Sequence, residues 1–125
     1  MIYLDTHVIV RLYATAAKGL SDNIIQLIEK EQDIRISPMA RLELEYLYEI
    51  GRVKESAYTI VNSLESSIGM TICNTKFSVI SQMAEKLKWT RDPFDRLIVA
   101  HAKAESATLV TKDRLIHEHY ENASW

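Results

Sequence analysis

Apolar residues return along this chain in two rhythms: short runs of three, and longer stretches where they recur every three or four positions. The short runs read as buried strands and the longer ones as amphipathic helices. Ile2 to Leu4 is such a run, stopped by the carboxylate of Asp5, and a helix follows from Thr6 to about Ala14. Ser21 or Asp22 can cap a second helix that carries Ile24, Ile25, Leu27 and Ile28. Ile34 to Ile36 predicts a second strand. Ser37 then caps a helix with Pro38 in its first turn, where the missing N–H costs nothing, and that helix runs to about Gly51. Further helices are predicted from about Lys54 to Ser66 and from about Lys76 to Lys88, with Gly69 as the turn before a short strand, Met70 to Ile72. Asp92 and Pro93 open a helix that is apolar on nearly every side, through Leu97, Ile98, Val99, Ala100, Ala102 and Ala104, and so belongs in the interior. Thr108 to Val110 is a β-rich run, Asp113 can cap a last short helix, and Ala123 to Trp125 predicts an edge strand.

Short strands alternating with helices imply βαβ connections. The expected class is α/β, a short and mainly parallel central sheet of four to five strands flanked by helices. At 125 residues the chain has room for one core, so a single domain over residues 1–125 is expected. Ligands of such sheets gather beyond the carboxyl ends of the strands. Asp5 and Asp113 fall there.

Composition narrows the function. An apolar fraction of 47% with 26% charged residues is that of a self-folding globular chain. The one cysteine, Cys73, has no internal disulfide partner, and Asp5 interrupts the opening before a signal-peptide core develops, so a cytoplasmic location is expected. No apolar run approaches the roughly 20 residues that span a bilayer. A net charge of −2 argues against a general nucleic-acid coat protein, yet an enzyme that reaches phosphate through bound cations needs acid in its site and only a modest basic rim.

Several acids stand where apolar neighbours would put the core. On the helix from Pro38, the residues Met39, Leu42, Tyr46, Leu47 and Ile50 form one stripe, and Glu43 lies within it. A carboxylate there needs an arginine, a donor or a wet cleft. Leu44 and Tyr48 lie on the opposite stripe, either packed under a neighbouring helix or exposed as a docking surface. Asp95 sits on the line continued by Val99 and Ala102, and it serves either a site or a capping box with Asp92. Asp113 has the same two readings, whereas Asp5, ending a buried strand, is harder to explain as a turn residue. Convergence of Asp5, Glu43, Asp95 and Asp113 would demand cations, and an all-oxygen set points to Mg2+ or Mn2+. Thr6 and Thr111, each beside an acid, can donate hydroxyls to it or serve as cap and strand residues. Arg91, Arg96, Lys112 and Arg114 flank the acids and can form a phosphate rim, although Arg96 is also spaced to pair with Asp92. His7, His101, His117 and His119 lack metal-ligand spacing and read as incidental, without a zinc site.

Four segments carry a resemblance: "LDTH" from Leu4, "SPMARLE" from Ser37, "RDPFDRLIVAHA" from Arg91 and "LVTKD" from Leu109. In their order and spacing, over nearly the whole chain, they resemble the PIN-domain family, and within it the VapC-type toxins of bacterial toxin–antitoxin pairs. The resemblance implies a PIN-like fold and a metal-dependent endoribonuclease. Its acids correspond to Asp5, Glu43, Asp95 and Asp113, with Asp92 as a neighbour. It also implies an RNA substrate, a cognate antitoxin that covers the site, and a homodimer. His7 departs from the asparagine that many members carry. Rival folds fit less well. A receiver domain needs an acidic pair after its first strand, where Asp5-Thr6 stands, and a haloacid-dehalogenase-type phosphatase needs a second Asp where His7 stands. A non-catalytic binding module of the same fold and a DNA-directed metal nuclease are the competing functions.

Overall fold

The computed structural model describes residues 1–15 and 17–125. Among them, β1 (Ile2–Leu4) leads into α1 (Thr6–Thr15) and α2 (Asp22–Lys30), and β2 (Ile34–Ile36) into α3 (Pro38–Glu49) and α4 (Ala57–Ile68). Then follow β3 (Thr71–Ile72), α5 (Phe77–Glu85), α6 (Pro93–Ala104), β4 (Thr108–Val110), α7 (Arg114–His119) and β5 (Ala123–Ser124). The expected strands and helices are all present. The helix predicted from Lys54 begins three residues late and the one from Lys76 one residue late, and the latter also ends early, because Ser56 supplies the α4 cap and the chain turns at Lys86.

Side chains at the helix starts explain where they begin. Ser21, Ser37 and Ser56 each accept a hydrogen bond from an N–H of the following turn, at 3.2, 3.0 and 3.3 Å. Asp92 and Asp113 do the same for α6 and α7. Gly69 ends α4 at φ +69°, a left-handed conformation that a Cβ would resist.

All five strands run parallel in the order β3-β2-β1-β4-β5. Tyr3, Leu4, Ile36, Leu109 and Val110 are fully buried, as expected of a sheet covered on both faces. The chain winds outward from β1 to β2 and β3, then returns to lay β4 on the other side of β1. The switch point thus lies between β1 and β4, where such sheets open a crevice at their carboxyl edge.

α3 is turned differently from the expectation. Its buried residues are Ala40 and Leu44, with Leu47 partly covered, while Leu42, Tyr46 and Ile50 are 56%, 48% and 48% exposed. The buried face is rotated by about one residue position, roughly 100°, from the predicted stripe. Small Ala40 lets α3 sit close against α1, α4 and α6, a contact that the bulk of Leu42 and Tyr46 would prevent. Leu44, at 0% exposure, packs inside and is no docking residue. Glu43 lies on the margin shared by the two stripes, which is why it is half-buried under either.

Candidate active site at the carboxyl edge

Asp5 follows the last residue of β1 and extends that strand's ladder, its N–H donating to the Val110 carbonyl at 3.0 Å. Its carboxylate is 5% exposed and fully engaged: Oδ1 accepts the Thr6 N–H at 2.7 Å and Oδ2 the Thr111 hydroxyl at 2.6 Å. Thr111 is buried just after β4, and its Oγ1 also accepts the Asp113 N–H at 3.0 Å. One hydroxyl therefore fixes two acids from opposite ends of the chain. His7 seals the junction: its Nε2 accepts the Lys112 N–H at 2.9 Å, which leaves the proton on Nδ1, 3.5 Å from Asp5 Oδ2. Burial pushes the His7 pKa down, and the neighbouring Asp5 charge opposes that shift.

Asp95 and Asp113 must be judged against capping. Asp113 is a cap, accepting the Ile116 N–H at 3.0 Å, yet it also lines the pocket. At α6 the cap is Asp92, whose Oδ1 accepts from Phe94 and Asp95. The reciprocal half of a capping box is missing, because the Asp92 N–H donates to the Thr90 hydroxyl instead. Asp95 is left to face the pocket.

That pocket, about 620 Å³, is lined by Asp5, Glu43, Asp92, Asp95 and Asp113, which arrive from β1, α3, α6 and the β4–α7 turn. Their proximity shows in their protonation. Burial, then repulsion from Asp92, Asp5, Asp113 and Glu43, pushes Asp95 up to about 7. Burial also raises Glu43, as do Asp5 and Asp92, while the nearby Thr6 hydroxyl partly offsets the rise. That hydroxyl is buried without a hydrogen bond of good geometry. Among the described residues, no three acidic, histidine or cysteine side chains converge into a closed metal cage. The carboxylates instead line the pocket from four separate parts of the fold. An all-oxygen donor set, with raised carboxyls and a spare hydroxyl, fits a hard divalent cation.

The basic lining differs from the expected rim. Arg96 Nε donates to the Leu87 carbonyl at 2.9 Å, not to Asp92, and Arg91 reaches the Lys88 carbonyl. Lys112 stands over the Trp125 ring, and exposed Arg114 pairs with Glu118. None of these four lines the pocket; Arg11 and Arg52 do. Neither was singled out from the sequence: Arg11 had a usable signal, the helical spacing of His7, Arg11 and Thr15 after the acid that follows β1, whereas Arg52 lies in a loop with no periodic signal. The histidines hold the frame. His101, buried, contacts the Ser37 hydroxyl at 2.9 Å and the Leu97 carbonyl at 2.8 Å, and His117 lies 2.7 Å from the Thr111 carbonyl.

The PIN domain family profile matches residues 2–122. The chain belongs to the PIN domain family. No curated protein matches it significantly. Among solved structures, this PIN domain is similar to VapBC2 of Rickettsia felis bound to a promoter DNA fragment, at TM-score 0.70 and 25% identity, covering 100% of this chain and 99% of that one. A toxin–antitoxin complex from Klebsiella pneumoniae aligns at TM-score 0.69 and 15% identity, over 100% and 97%. VapC20 of Mycobacterium tuberculosis, described as a sarcin–ricin loop cleaving toxin, aligns at 0.66 and 13% identity, over 95% of each chain. Among the described residues no helix is long and apolar enough to cross a membrane.

Proposed function

We propose that this PIN domain is the toxin of a type II toxin–antitoxin pair, a Mg2+-dependent endoribonuclease held in check by a cognate antitoxin, and that it works in the cytoplasm as a homodimer. The observation that carries the reading is the ring of carboxylates at the switch point, with Asp95 raised to about 7 by burial and by its acidic neighbours. Such a ring is costly in a folded chain unless a cation is to be bound there. Likeness to VapBC2 of Rickettsia felis supports the antitoxin partner.

Asp5, Glu43, Asp95 and Asp113 would hold Mg2+ or Mn2+, with Asp92 and the Thr6 hydroxyl beside them. A divalent ion bound by them supplies Lewis-acid polarisation of a phosphodiester and lowers the pKa of attacking water. The chain's own residues prepare that chemistry. Thr111 and the Thr6 N–H hold the Asp5 carboxylate in one orientation, so no reorganisation is needed when charge develops. Asp95, whose carboxyl burial and acidic neighbours push up to about 7, would be drawn into its ionised form by a bound cation.

The test is incubation of the purified protein, with and without Mg2+, against total cellular RNA and DNA, beside Asp5→Asn. RNA cleavage that needs Mg2+ and fails in Asp5→Asn is expected. Cleavage of DNA alone would make this a DNA-directed nuclease, and no cleavage of either would leave a binding module.

A further inference from the structure

The acid pocket does not end at Arg52. Val10, Arg52 and Val53 also line a second cavity of about 630 Å³, to which Tyr13 and Lys54 contribute. With Val10, Arg52 and Val53 as a common wall, the two adjoin as a groove whose lining changes from carboxylates in the first cavity to Arg52, Lys54 and the opposing Glu55 in the second. Among the described residues, Arg11, Arg52 and Lys54 make no ion pair within 4.0 Å, although acids line the same groove. The Arg11 guanidinium passes close beside Gly19, at φ +87°, where the absence of a Cβ leaves it room. These are cations left without a protein anion.

We infer that this groove is the track of a single-stranded RNA, a claim that rests on the nuclease reading above. A phosphate being cut must lie at the carboxylates, and the adjoining strand needs positive charge at once to remain near that acid ring. Arg11 and Arg52 take the neighbouring phosphate. The next nucleotide enters the second cavity, its base over Val10 and Val53 against Tyr13 and its phosphate on Lys54. Aromatic stacking with backbone cations suits a flexible strand of any sequence. An apolar peptide helix would call for an uncharged floor along the whole groove.

The experiment measures fluorescence anisotropy of a short fluorescein-labelled single-stranded RNA of mixed sequence. It uses the full chain in an Asp5→Asn background with Mg2+, so that binding is read apart from cutting. Arg52→Ala and Lys54→Ala should each weaken binding about five- to tenfold and each lower the salt slope by about 0.7. Tyr13→Leu should weaken it with the slope unchanged. Arg11→Ala should weaken binding as Arg52→Ala does, and Arg52→Lys should restore most of the affinity, which excludes misfolding as the cause. Arg91→Ala and Arg114→Ala should bind as the parent does. Losses confined to Arg91 and Arg114 would overturn the track. So would groove variants that keep RNA affinity but lose an antitoxin peptide, which would make the groove a protein-docking site. The two readings fail separately. If the chain with Asp5 intact cuts RNA while groove variants bind and cut normally, the track falls and the nuclease stands; if groove variants lose RNA yet that chain cuts nothing, the reverse holds.

Discussion

Replacing Asp95 with asparagine removes a charge that the folded chain resists and leaves the shape of the helix start almost unchanged. Its carboxyl ionises near 7 in the fold against an ordinary value of 3.8. At about 1.4 kcal/mol per decade of acidity, ionisation costs the metal-free fold at most about 4 kcal/mol. Partial exposure lets water screen much of this, so about 1–2 kcal/mol is the expected magnitude. The sign follows from linkage. Because the folded-state value is the higher one, the native chain binds more protons than the unfolded chain between the two values, and stability falls as pH rises from about 4 to about 7. Asp95→Asn lacks that loss. In EDTA at pH 8 it should melt roughly 3–8 °C above wild type, with the gap closing toward pH 4. Saturating Mg2+ should reverse the order, since an ion at a hundred times its Kd stabilises wild type by about 2.7 kcal/mol and the variant by much less. Differential scanning fluorimetry across pH, with EDTA and with Mg2+, reads all of this. A variant that melts below wild type in EDTA at pH 8, or gains as much from Mg2+, would refute both the strained charge and its place in the cation site.

Thr111→Val strips the Asp5 carboxylate of its 2.6 Å donor and the Asp113 N–H of its acceptor. It should cost about 1–3 kcal/mol in urea unfolding and weaken Mg2+ binding at least tenfold by calorimetry, roughly as a lost ligand-orienting contact does. Ser37→Ala removes the α3 cap and the His101 contact together and should cost about 1–2 kcal/mol, checked by thermal melting. Leu44→Ala should cost about 2–5 kcal/mol, whereas Leu42→Asp with Tyr46→Asp should leave the monomer's stability within about 1 kcal/mol. Light scattering on that double variant tests whether the exposed α3 stripe joins two copies; an unchanged dimer mass would move the interface elsewhere.

The sequence by itself determined the elements and most of the site's membership. The three-residue runs ended by Asp5, Ser37 and Thr111, rich in β-branched residues, are strands in both readings, because local β preference and burial agree there. The caps at Ser21, Ser37, Asp92 and Asp113 were legible because a cap is a contact between near neighbours in the chain. Asp5 drew attention because it ends a buried strand, at the edge where ligands of a parallel sheet gather. Tertiary structure decided what depends on distant partners. α3 carries two overlapping apolar stripes, and only packing against α1, α4 and α6 chose Ala40 and Leu44 over Leu42 and Tyr46. Whether Asp95 caps or faces a pocket turned on Thr90 taking the Asp92 N–H, a competition that spacing does not reveal. The bridge from Thr111 to Asp5 spans 106 positions, and Arg52 comes to line the acid pocket from a loop without periodicity. Periodicity reports which way a side chain turns from its own helix; it carries no record of what stands opposite.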